Sequence, residues 1–194
     1  ANIEQIQTRT LSLDVTVDFE KQQLSGFVEH ELDRKDPKAT QFILDSRALV
    51  IEKVLQSSAE GAWQPAVFSL GPVDPIKGQP LTIELAPTAG KVRIFYQTTA
   101  ASSGLQWLTA AQTSEKQQPF LFSQSQAIHA RSWIPLQDTP QVRYTYSAHV
   151  TSRPDVMVLM SADNDPAAAR DGDYSFKMPQ KIPSYLMAIA AGDL

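Results

Sequence analysis

Between residues 10 and 19 the apolar side chains Leu11, Leu13, Val15, Val17 and Phe19 alternate without exception with polar ones. A period of two places them on one face of an extended chain, and that face is buried only when the segment is a strand of a sheet. A polar turn at residues 20–23 leads into a return run over 24–32, so the pair predicts an antiparallel hairpin, with Gly26 at a bulge or a close backbone approach. The same kind of pattern recurs along the chain. Strands are expected at 41–44 and 49–55 around the turn Asp45-Ser46-Arg47, at 66–70, 81–85 and 91–99, and again at 142–151, 156–160 and 174–179. Residues 184–191 are apolar on both faces, as a central strand would be. Thirteen prolines and eight glycines break up everything longer. The one helical candidate is the short stretch 165–170, and 100–118 reads as a loop that docks Trp107. The expected fold is all-β, mostly antiparallel sheets in one domain.

A chain of 194 residues is long enough to bury about 70% of its unfolded surface, so no disulfide or metal is needed to hold it. The formal charge is -4 with no basic run, which argues against a nucleic-acid partner and gives no attraction to an anionic membrane. No window approaches the about 18 apolar residues of a membrane span, and residues 1–4 resemble no signal peptide. Cysteine is absent, which removes disulfides, thiolate metal sites and a cysteine nucleophile, and is compatible with a reducing or an oxidising compartment.

Catalytic signatures are missing. His30-Glu31-Leu32-Asp33-Arg34 begins like a zinc-peptidase His-Glu-x-x-His, but its fifth residue is no ligand and the segment lies in the expected hairpin, where charged residues are read as exposed. His30, His129 and His149 show no ligand spacing. Asp163-Asn164-Asp165 and Asp171-Gly172-Asp173 lack the glycine and glutamate of an EF-hand loop and read as solvated turns. There is no nucleophile elbow, no phosphate-binding loop and no dinucleotide fingerprint. Trp107 and Trp133 read as core residues, with ligand stacking the alternative.

One stretch departs from the β pattern. In residues 120–140, Gln124 and Gln126 are two apart, so on an extended backbone both project to one side and can converge on one ligand. The alternative is that the two amides satisfy loop backbone. Arg131 and Asp138 follow, between and beside Pro135 and Pro140, and read as an ion pair that pins the loop.

Gln124-Ser125-Gln126-Ala127-Ile128-His129-Ala130-Arg131, followed by Pro135, Asp138 and Pro140, resembles the N-terminal domain of the gluzincin zinc aminopeptidases, the alanyl-aminopeptidase-like metallopeptidases. Its Gln-x-Gln-Ala-Ile-His form is most similar to the leukotriene A(4) hydrolase branch. The likeness extends to the opening hairpin, to Leu44-Asp45-Ser46-Arg47, Leu105-Gln106-Trp107-Leu108 and Ser161-Ala162, and to the run from Pro179 through Gln180, Lys181, Ile182, Pro183, Ser184 and Tyr185 to Leu186. The resemblance implies a saddle-shaped, β-sandwich-like domain that walls the substrate cleft of a thermolysin-like catalytic domain. It implies that Gln124 and Gln126 meet the N-terminal end of a peptide substrate and that Ala127 is a neighbouring wall residue. Most members carry a glutamate at the position of Gln126 to bind the substrate ammonium; an amide stands here.

Family members also continue past the equivalent of Gly192-Asp193-Leu194 into a Gly-x-Met-Glu-Asn motif and a His-Glu-x-x-His zinc site. Neither lies within these residues. Residues 1–194 are therefore expected to be the first domain of a larger enzyme, inactive alone and without its own cofactor, whose partners are peptides with a free N-terminus and its own catalytic domain. The resemblance further implies a cytoplasmic enzyme, with a periplasmic or secreted one compatible with the residues, and an additional epoxide hydrolase activity of the parent. The competing reading is a self-standing β-sandwich binding module.

Overall fold

A computed structural model describes residues 1–58 and 60–194. In chain order the strands are β1 (Ile6–Asp18), β2 (Gln23–Arg34), β3 (Gln41–Ser46), β4 (Val50–Ser57), β5 (Gln64–Pro65), β6 (Phe68–Leu70) and β7 (Gln79–Glu84). They continue as β8 (Lys91–Gln97), β9 (Leu105–Leu108), β10 (Phe120–Ser123), β11 (Arg143–Thr151), β12 (Met157–Met160), β13 (Asp173–Pro183) and β14 (Ile189–Gly192). They form a seven-stranded sheet in the order β13-β11-β1-β2-β8-β4-β5, a four-stranded sheet β12-β14-β10-β9 and a three-stranded sheet β3-β7-β6. Pairing is antiparallel except between β1 and β11, which run parallel.

The alternation in β1 becomes burial. Leu11, Leu13, Val15 and Val17 are buried and Thr16 is exposed. One continuous core takes Val28 and Ile94 from the large sheet, Leu121, Val158 and Ile189 from the four-stranded sheet, and Phe42, Leu81 and Ile83 from the third. The opposite face of the large sheet is adapted to water by cross-strand pairs: Arg9 with Glu31 at 3.0 Å, and Arg93 with Glu29 at 2.7 Å. The Arg93 guanidinium also lies between the rings of Phe27 and Trp63, at 4.6 and 4.3 Å from their centroids.

Gly26 is the close approach, not the bulge. Its φ is +152°, and a Cβ there would sit 2.0 Å from the Asp14 carbonyl oxygen of the paired strand. The register shift between β1 and β2 falls instead between Thr8 and Thr10.

Several expectations are corrected by non-local pairing. The stretch 100–118 is not all loop: β9 pairs with β10, and residues 110–112 form a 3-10 turn. Trp107 is half-buried, edge-on to Phe19 at 5.7 Å. β3 runs through Ser46, so the turn lies two residues later, at 47–49, where Ala48 has φ 53°, and it carries the chain from the three-stranded sheet to the large one. Residues 165–170 form a turn, in which the Asp165 carboxylate accepts from the Ala167 amide at 2.9 Å. Residues 184–191 are a strand only from Ile189; Ser184–Leu186 is a 3-10 turn with Leu186 about half exposed, while β14 is indeed central in its sheet. His30 is the largest departure. It is fully buried, because it shares the inward parity of Leu24 and Val28 on β2.

Candidate functional site

β10 delivers the chain to the glutamine pair and ends at Ser123. The backbone then leaves the sheet, so the two glutamines are not on a regular strand. Gln124, Gln126 and Ala127 are exposed, whereas Ser125 between the glutamines is buried. The Gln126–Ala127 peptide is cis.

The two amides differ in what they do. Gln124 Oε1 accepts a hydrogen bond from the Gln126 backbone amide at 3.1 Å, so this side chain is partly spent on its own loop. The Gln126 side chain makes no hydrogen bond to another described residue, leaving a carbonyl and an amide group both facing out.

Beneath them the loop is fixed on three sides. The Gln124 backbone N–H donates to the Gly104 carbonyl at 2.9 Å. Gly104 is required by close approach, since a Cβ would lie 2.6 Å from the His129 carbonyl oxygen and 2.8 Å from Ser132 Oγ. Ser132 Oγ donates to the His129 carbonyl and accepts from the Gly104 amide. Ser125 Oγ donates to the Met187 carbonyl at 2.6 Å and accepts from Trp133 Nε1 at 3.1 Å. Trp133 is thus a core residue whose one polar atom is satisfied.

Residues 130–138 are all buried and form the foundation. Arg131 Nε donates to Asp138 Oδ2 at 3.0 Å and Nη2 to the Asp138 carbonyl at 3.0 Å, while Nη1 reaches the Lys77 carbonyl at 2.7 Å. Asp138 also accepts from Ser184 Oγ at 2.6 Å, and its own amide donates to Asp45 Oδ2 at 2.9 Å. Gln137 reaches the free edge of β1 ahead of its pairing with β11, accepting from the Thr8 amide and donating to the Ile6 carbonyl, as one rung of a sheet ladder would. Ser125, Ser184, Asp45 and Gln137 had not been singled out. Three of them lie in the resemblance: Ser125 in the glutamine motif, Asp45 in Leu44-Asp45-Ser46-Arg47 and Ser184 in the run ending at Leu186, and the last two meet at Asp138.

The histidines stay apart. His30 Nε2 donates to the Pro135 carbonyl at 3.1 Å, and with the buried ring neutral Nδ1 accepts from Thr8 Oγ1 at 3.0 Å. Burial pushes its pKa down to about 4, against the opposing hydrogen bond to Pro135. His129 Nδ1 bonds Ser103 Oγ at 2.8 Å, and His149 lies between Asp14 and Asp173. Among the described residues no group of three or more His, Cys, Asp or Glu is placed to hold a metal. No described helix is long and apolar enough to cross a membrane. The exposed loop offers hydrogen-bonding amides with no acid, base or nucleophile joined to them.

Residues 7–186 match the family described as the peptidase M1 N-terminal domain. Leucine aminopeptidase 2 of Pyricularia oryzae is 37% identical over the whole chain, which covers 32% of that protein, and leukotriene A-4 hydrolase of Xenopus laevis is 37% identical with 33% covered. The chain spans about a third of the length of such relatives. The structure of leukotriene A4 hydrolase from Saccharomyces cerevisiae superposes with a TM-score of 0.86 at 31% identity, over 100% of this chain and 30% of that one. The fold also recurs in an M1 zinc metallopeptidase from Deinococcus radiodurans, with a TM-score of 0.73 at 19% identity, over 97% of this chain and 42% of that one. The chain belongs to the peptidase M1 N-terminal domain family.

Proposed function

We propose that this domain is the scaffold and substrate-binding wall of a zinc-dependent aminopeptidase, in which Gln126 meets the free N-terminus of a peptide, Gln124 braces Gln126, and Ala127 lines the wall beside them. One observation carries the reading: an outward amide without a partner among the described residues stands on a loop anchored to the core through the buried, doubly hydrogen-bonded Ser125. The backbone that carries it is already ordered, so binding costs only the rotamer freedom of the Gln126 side chain itself. The carbonyl of Gln126 suits an ammonium donor, and its exposure leaves room for one.

Zinc is assigned to the rest of the parent, a reading supported by the M1 zinc metallopeptidases that share the fold. When bound there, zinc supplies Lewis-acid activation of the scissile carbonyl and of water. The domain binds and orients the substrate. That relatives of three times this length are a leucine aminopeptidase and a leukotriene A-4 hydrolase supports the assignment to such a parent.

The test compares peptides with free and N-acetylated ends in the full-length enzyme that carries this domain, after dialysis and elemental analysis. One zinc per chain, cleavage of the free peptide and none of the acetylated one are expected. Equal cleavage of both would remove the amine from the recognition.

A further inference from the structure

We infer that Ser125 is a positioning residue for amine recognition, acting through Gln126 by locking the loop between the two glutamines to the core. The inference rests on the reading of Gln126 given above. Ser125 is 2% exposed and touches no solvent-facing ligand space, yet it stands directly before the residue assigned to the substrate. Its hydroxyl makes two bonds of opposite sense: it donates to the Met187 carbonyl at 2.6 Å and accepts from Trp133 Nε1 at 3.1 Å. A hydroxyl has one hydrogen to give, so with Trp133 supplying the other bond its direction is fixed. Both partners are themselves immobile, Trp133 being fully buried and Met187 1% exposed.

These two bonds join three parts of the chain. Trp133 belongs to the buried foundation that holds Arg131 and Asp138. Met187 lies between the 3-10 turn Ser184–Leu186 and β14, whose Ile189 amide donates to Ser123 Oγ at 2.9 Å, one bond earlier on the same side of the loop. The Ser125 carbonyl accepts from the His129 amide at 2.9 Å and closes the turn that follows. The main chain of residues 123–125 is therefore held by β14 and its approach, by Trp133 and by Gly104, and Gln126 is the first residue beyond that hold. Its side chain points outward because Ser125 is drawn inward.

Removing the hydroxyl leaves the outward amide in place but lets it wander relative to the substrate. A displacement on the order of 1 Å at such a group lowers productive binding steeply. Peptide KM in the full-length enzyme is expected to rise about tenfold in Ser125→Ala, with kcat little changed, the pattern of weakened substrate binding. Ser125→Cys, close in shape and able to donate and accept weakly, should recover most of that loss. Trp133→Phe, which keeps the ring packing and removes the Nε1 hydrogen, should raise KM in the same direction by a smaller factor.

A double-mutant cycle separates positioning from general support. If Ser125 acts through Gln126, Ser125→Ala should add nothing to the KM of Gln126→Ala, although each alone raises it. Melting temperatures accompany every variant, so that kinetics are compared only where the enzyme is folded. Ser125→Ala with wild-type KM, or with a KM effect that multiplies that of Gln126→Ala, overturns the positioning role. Gln126→Ala with wild-type KM would instead overturn the reading beneath it, and the two failures are distinct.

Discussion

His30 Nε2 donates to the Pro135 carbonyl across 3.1 Å, tying the second strand to the segment that supplies Gln137 and Asp138. The ring is fully buried, so the charged form has no water to solvate it and the neutral ring is the native one. The native state holds its pKa down to about 4, whereas the unfolded chain titrates near 6.5.

Between those values the unfolded chain binds the proton that the native state refuses, so stability must rise with pH there. The contribution is whole above pH 6.5 and declines as pH falls to about 4. The expected loss over that window is about 3 kcal/mol, read as a fall in the denaturant midpoint at constant slope. His30→Gln, which can still donate to Pro135 and accept from Thr8, should flatten the dependence. An unchanged pH profile in that variant would assign the acid sensitivity to another group.

His149 should behave in the opposite sense. Its burial works against the proton, but hydrogen bonds and charge from Asp14 and Asp173 outweigh it and hold the pKa above the ordinary value. Stability from this cluster is present below the unfolded pKa and is lost as pH rises through the folded one. The ring is well exposed, so salt should weaken the effect. Titration of its ring protons by NMR should give a midpoint above 6.5 that moves back toward 6.5 at high ionic strength. A midpoint insensitive to Asp14→Asn would detach the shift from these carboxylates.

Asp138 carries a third expectation. Its carboxylate is fully buried and receives Arg131 Nε, the Arg131 amide and Ser184 Oγ. Asp138→Ala takes the close carboxylate from a buried guanidinium, which keeps the Lys77 and Asp138 carbonyls and Asp45 at 3.9 Å, so the cost should fall at the lower end of the about 3 to 5 kcal/mol of a broken buried pair. Ser184→Ala removes a single bond to a charged acceptor and should cost less, about 1.5 to 3 kcal/mol. Chemical denaturation of the 194-residue chain orders the two. Ser184→Ala costing as much as Asp138→Ala would show that the arginine is held chiefly by its other contacts.

The strands were legible where one face meets the core and the other meets water. β1, β8 and β11 announce themselves by period-two alternation, because each residue's side is set by its neighbours. What alternation omits is the partner. Nothing in Leu105–Leu108 says that it pairs with Phe120–Ser123, nor that β3 joins β7 while β4 joins β8. At the site, Gln124, Gln126, Ala127, Arg131 and Asp138 are visible in a motif, and Ser125 and Ser184 stand in such segments too, but what the two serines do is not legible, since a buried serine has no signature until its acceptor is known. His30 was recoverable: the parity of Leu24 and Val28 points it inward, and its charged neighbours Glu29 and Glu31 only masked that pattern.

Gln126 itself supplies the sharpest expectation. Gln124 shares its carbonyl with the loop, whereas Gln126 offers an unshared one, so the two should not be equivalent in the full-length enzyme. A hydrogen bond to a charged group is worth about 1.5 to 3 kcal/mol, and Gln126→Ala should therefore lower kcat/KM for free-amine peptides about 10- to 150-fold without loss of zinc. Gln124→Ala removes a brace and not the contact, and should cost less, with the loss in KM. Gln126→Glu replaces a neutral acceptor by an anionic one, which binds an ammonium more strongly when it is not crowded by another carboxylate. Steady-state kinetics on a peptide series with free and acetylated ends distinguishes these effects. If Gln126→Ala matches wild type on every free-amine peptide while Gln124→Ala is impaired, the amine is held by Gln124 and the free amide of Gln126 has another use.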